Sequence, residues 1–164
     1  MEDMQHKHRM QDSKHSMYGR FVLMAVVMFI SMYCLMFAMI DRLENFIPNI
    51  NNVYMTSLMV AVMLLIELWI MKKMYTHSGF NWIIVIIAIT VGVLSWLGIR
   101  QQVSVGDEQF VKGMIPHHAA ALLMSEKANL TDPELIKLQK NILKTQAQEI
   151  ELMKRKLKEL EKNK

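Results

Sequence analysis

Cysteine, proline and glycine are scarce in this chain of 164 residues. The single cysteine, Cys34, excludes an intramolecular disulfide framework and a zinc cluster built from cysteines. Only 3 prolines and 6 glycines are present, too few for the many tight turns of an all-β sandwich. The net charge is +4, and basic residues alternate with acidic ones near the C-terminus. The sequence therefore lacks the basic stripe that would predict a nucleic-acid partner.

Motifs for catalysis are missing as well. The sequence has no nucleophilic serine motif, no phosphate-binding loop and no Cys-x-x-Cys pair. No Glu-x-x-His pair lies in the C-terminal region, which argues against a di-iron carboxylate centre. We therefore predict that the protein is not an enzyme.

Apolar residues and methionine are abundant, at 52% of the chain and 17 residues respectively. Residues 21–40 and 82–99 carry no charge, and residues 53–71 carry one, on Glu67. A helix of about 20 apolar residues crosses the ~30 Å hydrocarbon core of a bilayer. We therefore predict an all-α protein whose region 21–99 contains three transmembrane helices, over residues 21–40, 53–71 and 82–99, in contact with membrane lipid.

Basic residues near the ends of these segments predict their orientation. One side of the membrane would carry six of them: Lys7, Arg9, Lys14, Arg20, Lys72 and Lys73. The other side would carry at most three: Arg42, Arg100 and Lys112. We expect a bacterial inner (cytoplasmic) membrane protein with a cytoplasmic N-terminus and an extracytoplasmic C-terminal segment.

The N-terminal tail, residues 1–20, is rich in histidine and methionine and has no periodic apolar face. Such a composition predicts a disordered segment. A tail that binds metal and a tail that binds nothing both remain open.

Methionines recur at steps of four residues in the first two predicted spans: Met24, Met28, Met32 and Met36, then Met55, Met59 and Met63, with Met71 beyond. Residues four apart form a ridge on a helix. One interpretation is a sulfur-lined path for Cu(I) that ends near Glu67. We favour the other, in which methionine serves as an adaptable packing residue.

The C-terminal region reads as two charged, amphipathic helices. After a linker over residues 100–106, we predict one helix that begins at Asp107 and a second that begins at Thr131. Thr131 and Glu134 have the spacing of a capping box. The intervening turn is short, so the helices must be antiparallel neighbours. We therefore predict a helical hairpin over residues 107–162.

Two histidines follow a methionine on the first of these helices. Met114 precedes His117 and His118 by three and four residues, so it shares a helix face with at least one of them. Thioether and imidazole groups form a soft ligand set that suits Cu(I). Gln146 and Glu149 interrupt the apolar stripe of the second helix where the turn would bring it opposite the histidines. From spacing alone, a metal site and a hydrogen-bonded histidine pair both remain open.

The motif Asp107-x-x-Phe110-x-x-x-Met114-x-x-His117-His118, followed by Gln146-x-x-Glu149-Ile150-x-x-Met153, resembles the family of domain of unknown function 305. The resemblance covers roughly residues 105–160, and the three spans lie outside it. It implies a ferritin-like helical fold, here fused to three transmembrane helices, and a role in binding or tolerating copper.

With this resemblance, five side chains become candidate copper ligands: Met114, His117, His118, Met124 and Met153. Three more are assigned to hydrogen bonds that orient the imidazoles: Asp107, Gln146 and Glu149. Of the two histidines we prefer His118, because it lies four residues after Met114 and so above the same ridge.

We expect a membrane-anchored, methionine-rich protein of copper homeostasis that binds copper, as Cu(I), outside the cytoplasm for tolerance or hand-over. A copper-exporting or copper-carrier protein is the candidate partner. The alternative is a structural or interaction membrane protein whose hairpin mediates oligomerisation without metal. A lone hairpin exposes an apolar seam, so we expect a homo-oligomer in which two hairpins form a four-helix bundle. Packing of the hairpin on the membrane or on the loop over residues 41–52 would cover that seam instead.

Overall fold

The computed structural model describes the backbone of residues 2–162 and the side chains of residues 17–162. Every regular element in this part of the chain is helical, which confirms the predicted all-α class. The elements are α1 (Glu2–Leu35), α2 (Ile50–Ile70), α3 (Ser78–Gln101), α4 (Asp107–Lys127) and α5 (Pro133–Lys162), with a short 3-10 turn over Leu43–Asn45.

Three segments of the described chain are long and apolar enough to cross a membrane: Met17–Leu35, Ile50–Ile70 and Ser78–Gln101. They overlap the three predicted spans, with boundaries that differ by several residues. The first helix ends at Leu35 instead of continuing to residue 40. The chain turns there because Phe37 is buried, with its ring centroid 4.2 Å from that of Phe46.

The first helix also begins earlier than expected. We predicted no regular structure over residues 1–20, whereas α1 is helical from Glu2. Extending an existing helix adds one hydrogen bond per residue, and no proline interrupts this segment. The side chains of residues 1–16 lie outside the described ones, so metal binding by the tail stays a prediction.

The chain forms two compact units. Among the described residues, the first unit comprises residues 2–32 and 55–97, and the hairpin unit comprises residues 33–54 and 98–162. In the first unit, α2 and α3 approach closely where both carry small residues. A Cβ added to Gly92 would lie 3.6 Å from the Cβ of Ala61. Small side chains at such positions let helix backbones pack closely in a bilayer.

A hydrogen-bonded network fastens the connection between α2 and α3 in the first unit. The Tyr18 hydroxyl accepts a bond from the His77 amide (3.2 Å) and donates one to Asn81 Oδ1 (2.8 Å). Asn81 Nδ2 donates to the Tyr75 carbonyl at 2.7 Å. The Tyr75 hydroxyl donates to Glu67 Oε1 at 2.9 Å. The one carboxylate within the three apolar segments is therefore paired.

In the hairpin unit, α4 and α5 pack against each other as the predicted antiparallel pair. α4 continues through the buried Pro116. The side chain of Asp132 starts α5 by accepting bonds from the amides of Glu134 (2.9 Å) and Leu135 (3.0 Å). This cap replaces the Thr131 capping box that we predicted, because an aspartate carboxylate at this position reaches two free amides of the first turn. The core between the helices consists of Val111, Ile115, Ala119, Ile150 and Leu157.

The connection between α1 and α2 covers one side of this hairpin. Ile40 and Ile47 pack against the core between α4 and α5. The Ile50 amide donates to Gln109 Oε1 at 3.0 Å. Lys154 Nζ lies 3.7 Å from Glu44 Oε2. Of the alternatives weighed from the sequence, the packing of the hairpin on this loop is therefore present within a single chain.

Candidate metal site

His118 is buried in the seam between α4 and α5, and both of its ring nitrogens have partners. Only 9% of the residue is exposed. Nδ1 lies 3.0 Å from the carbonyl oxygen of Met114, one helical turn earlier. Nε2 lies 2.9 Å from Glu149 Oε2 on α5. The ring is thus fixed from both sides of the seam.

Both partners of the His118 ring are hydrogen-bond acceptors. A neutral imidazole carries one N–H and so can donate to only one of them. If Nδ1–H donates to the Met114 carbonyl, Nε2 and the Glu149 carboxylate face each other as two electron-rich groups. Something positive must then lie between them, either a second proton on the ring or a bound cation.

Gln146, which is on α5 like Glu149, adds an unpaired hydrogen-bond acceptor. It lies three residues before Glu149 on α5 and hence close to the same face. Its Oε1 atom is buried and has no hydrogen-bond partner among the described residues. Buried polar atoms are normally paired, by protein, water or an ion. Glu149, which we predicted to orient an imidazole, therefore contacts His118. Gln146 Oε1 has no such contact among the described residues.

Met114 precedes His118 by one helical turn on α4, and Met153 follows Glu149 by one turn on α5. The pairing of His118 with Glu149, and of Gln139 Nε2 with the Ala128 carbonyl at 3.0 Å, sets the antiparallel register. In this register Met114 and Met153 are level across the seam. Met114 is half-buried, and Met153 packs against the apolar core.

Three of the candidate residues are not brought to His118. His117 is exposed, with its ring centroid 6.2 Å from that of His118. Met124 is 52% exposed and lines a cavity near the turn of the hairpin, with Leu138 among its neighbours. Asp107 precedes His118 by 11 residues, or about 16 Å of helix.

Asp107 is therefore too far away to orient the imidazole of His118, which was its role in the sequence prediction. It instead lines a cavity near the end of α5, together with Lys156 and Glu159.

Within residues 17–162, no three histidine, cysteine or acidic side chains converge on one point. A metal ion held in the seam would need donors beyond the His118–Glu149 pair, such as the Gln146 amide or the thioethers. Sequence reasoning also missed one contributor, the backbone carbonyl of Met114. The four-residue spacing from Met114 to His118 could have identified it, since a side chain in a helix can reach the carbonyl one turn earlier.

The methionine ridges of the first unit do not line the cavity between its three helices. A cavity of about 390 Å³ lies between α1, α2 and α3, and its lining among the described side chains is apolar apart from Ser57 and contains no methionine. Met55 and Met63 on α2 are exposed at 38% and 43%. This placement supports packing over conduction as the role of the methionines.

Comparisons with known proteins identify one family and one relative. Residues 99–161 match the family described as Domain of unknown function (DUF305). A protein of Acanthamoeba polyphaga mimivirus, described as Uncharacterized protein L153, is 36% identical over 107 residues, which are 64% of this chain and 68% of the viral one. No solved structure matches the chain.

Proposed function

Because the chain belongs to the DUF305 family, we propose that it is a membrane-anchored protein whose hairpin binds copper. The protein would serve copper tolerance, or hand copper to an exporting or carrier protein. The observation that carries this proposal is the buried imidazole of His118, whose Nε2 lies 2.9 Å from a carboxylate oxygen of Glu149. Imidazole is a common ligand for copper, and a backbone carbonyl that fixes the other ring nitrogen is typical of ligating histidines.

The membrane part of the proposal rests on three apolar helices. Two of these spans, α2 and α3, lie between the α1–α2 connection and the C-terminal hairpin, so both would be on the same side of the membrane. Their packing within the hairpin unit is consistent with this arrangement. The excess of basic residues near the N-terminal side favours a cytoplasmic N-terminus and an extracytoplasmic hairpin in a bacterial inner membrane.

The copper proposal is tested with the full chain in lipid nanodiscs. His6, His8 and His15 are changed to Gln in every sample, so that imidazoles of the tail do not contribute. We expect copper to bind the hairpin, and His118→Ala to abolish this binding. His117→Ala is the matched control, because its exposed ring has no contact with Glu149, and it should retain binding. Equal copper stoichiometry in the His118 variant and its parent would contradict the proposal.

A second function, oligomerisation through the hairpin without metal, is favoured by one observation. Several large apolar side chains of α4 and α5 are about half exposed: Phe110, Met124, Leu135, Leu138 and Leu152. The connection between α1 and α2 covers other parts of the hairpin, so these side chains are available to a second copy. This function does not need His118, which separates it from copper binding.

A further inference from the structure

We infer that the seam of the hairpin holds Cu(II) through a nitrogen–oxygen donor set formed by His118 Nε2, Glu149 Oε2 and Gln146 Oε1. This inference rests on the proposed function and adds to it the identity of the ligands and the oxidation state. It also gives Gln146 a direct role, in place of the supporting one predicted from the sequence.

The first step of the argument is the orientation of the imidazole. When Nδ1–H donates to the Met114 carbonyl at 3.0 Å, the lone pair of Nε2 is directed toward Glu149. A ligating histidine usually has this arrangement, with its other nitrogen bonded to a carbonyl or carboxylate. In this tautomer the hairpin presents Nε2 with a free lone pair, as a metal ion requires.

The second step is the spacing of the two donors. Nε2 and Oε2 are 2.9 Å apart. Nitrogen and oxygen ligands lie about 2.0–2.2 Å from a first-row divalent ion, so one ion could contact both donors with little movement of either side chain.

The third step is the unpaired oxygen of Gln146. Its Oε1 is buried without a donor, one helical turn from Glu149. A cation bound by Nε2 and Oε2 would give this oxygen a partner, since amide oxygens are acceptable ligands for divalent ions. The side chain of Glu149 is 53% exposed, which leaves a route from solvent to the pair.

The chemistry of these donors decides between the two oxidation states. One imidazole nitrogen and two oxygens suit Cu(II), while Cu(I) prefers thioethers and thiolates. The Cu(I) state predicted from the sequence relies on Met114 and Met153. Met153 packs against the apolar core, where its thioether already has a packing role.

The test uses the full chain in nanodiscs, again with His6, His8 and His15 changed to Gln. Cu(II) alone is titrated and followed by electron paramagnetic resonance, and Cu(I) is measured separately by competition with a chelator. The variants are Gln146→Ala, Gln146→Glu and Glu149→Gln. Gln148→Ala and Glu151→Gln are matched controls, because both residues are exposed on the same helix.

We expect one Cu(II) per chain with a nitrogen ligand in its spectrum. Gln146→Ala and Glu149→Gln should weaken Cu(II) binding by at least about 10-fold, because each removes a ligand and even a lost outer-sphere partner costs about that much. The two control variants should bind as the parent does. Gln146→Glu keeps an oxygen donor at the position, so it should bind Cu(II) at least as tightly as the parent. That result would separate loss of a ligand from damage to the fold.

The failures of the two proposals are distinguishable. If Gln146→Ala and Glu149→Gln bind Cu(II) like the parent while Met114→Leu loses Cu(I), the nitrogen–oxygen site is wrong and the hairpin still binds copper. If neither oxidation state binds, or His118→Ala changes neither, the proposed function is wrong as well. The contact between His118 and Glu149 would then be an ion pair.

Discussion

At the scale of single residues, the two neighbouring histidines differ in burial and partners. His118 is directed into the seam, where the Met114 carbonyl and Glu149 hold it, and His117 is exposed. Successive residues of a helix differ by about 100° in direction, so only one of the two can face α5. This difference makes each histidine the natural control for the other.

Lys112 illustrates a single residue that joins the ends of both hairpin helices. Its Nζ lies 2.6 Å from Glu108 on α4 and 3.7 Å from Glu161 on α5. The hydrogen bond to Glu108 raises the pKa of Lys112 above its ordinary value of 10.5, despite the opposing effect of burial. A raised pKa means that folding favours the charged lysine.

We expect this contribution to stability to be fully present below pH 10.5 and to be lost as pH rises through the higher pKa of the folded state. Lys112→Met should therefore remove part of the pH dependence of hairpin stability above pH 10.5. Hydrogen exchange of α4 and α5 amides as a function of pH measures it. Lys127→Met is the control, because Lys127 is 70% exposed beside Glu126. Identical pH profiles for Lys112→Met and its parent would contradict the expectation.

At the scale of elements, α1 and α2 carry similar methionine spacings in different surroundings. Met24, Met28 and Met32 on α1, and Met36 just beyond its end, are all half-buried. On α2, the buried positions are Thr56, Val60, Ala61 and Leu68, and the exposed ones include Met55 and Met63. The two ridges therefore do not form a common, enclosed surface, which favours packing as their role.

Changing Met28, Met32, Met59 and Met63 together to Leu tests that interpretation. Leucine has a similar volume, so each change should cost less than ~1.5 kcal/mol. We expect cellular copper accumulation to be unchanged at equal protein abundance. The comparison variant is His118→Ala, which should alter copper handling without touching the apolar helices. A large change in copper movement in the leucine variant would instead support a path through the first unit.

At the scale of the whole molecule, the open question is whether hairpins pair. The loop over residues 41–52 already covers part of each hairpin, so any partner must use the remaining exposed apolar side chains. Leu157 is not available to a partner, because it is buried in the core of its own hairpin, at 8% exposed. Leu138 and Leu152, 52% and 48% exposed, are the positions that a second copy can reach.

We predict that Leu138→Cys or Leu152→Cys, combined with Cys34→Ser, forms a crosslinked homo-oligomer in native membranes with a short bifunctional reagent. Leu157→Cys should crosslink poorly, since its side chain is buried within the chain. A cysteine-reactive label that does not cross membranes would report the side of the hairpin in the same samples, and we expect labelling from outside. Monomers at every position, or labelling only from the cytoplasmic side, would contradict the assembly or the orientation.

Much of this protein could be predicted from its sequence, because the deciding forces are local. Long uncharged runs predict helices that can cross a bilayer, and a short turn between two amphipathic segments makes α4 and α5 antiparallel. The spacing of Met114, His117 and His118 likewise predicted a candidate metal site on α4. The tertiary structure decided what depends on distant residues meeting.

The tertiary structure decided that His118 and not His117 faces Glu149, and that Asp107 lies too far from this pair. It also decided that Gln146 has a buried oxygen without a partner among the described residues. It also decided that the α1–α2 connection packs on the hairpin through Ile40 and Ile47. The physical reason is that helix register and side-chain burial depend on which surfaces pack together. Composition and periodicity describe each helix alone and cannot specify that packing.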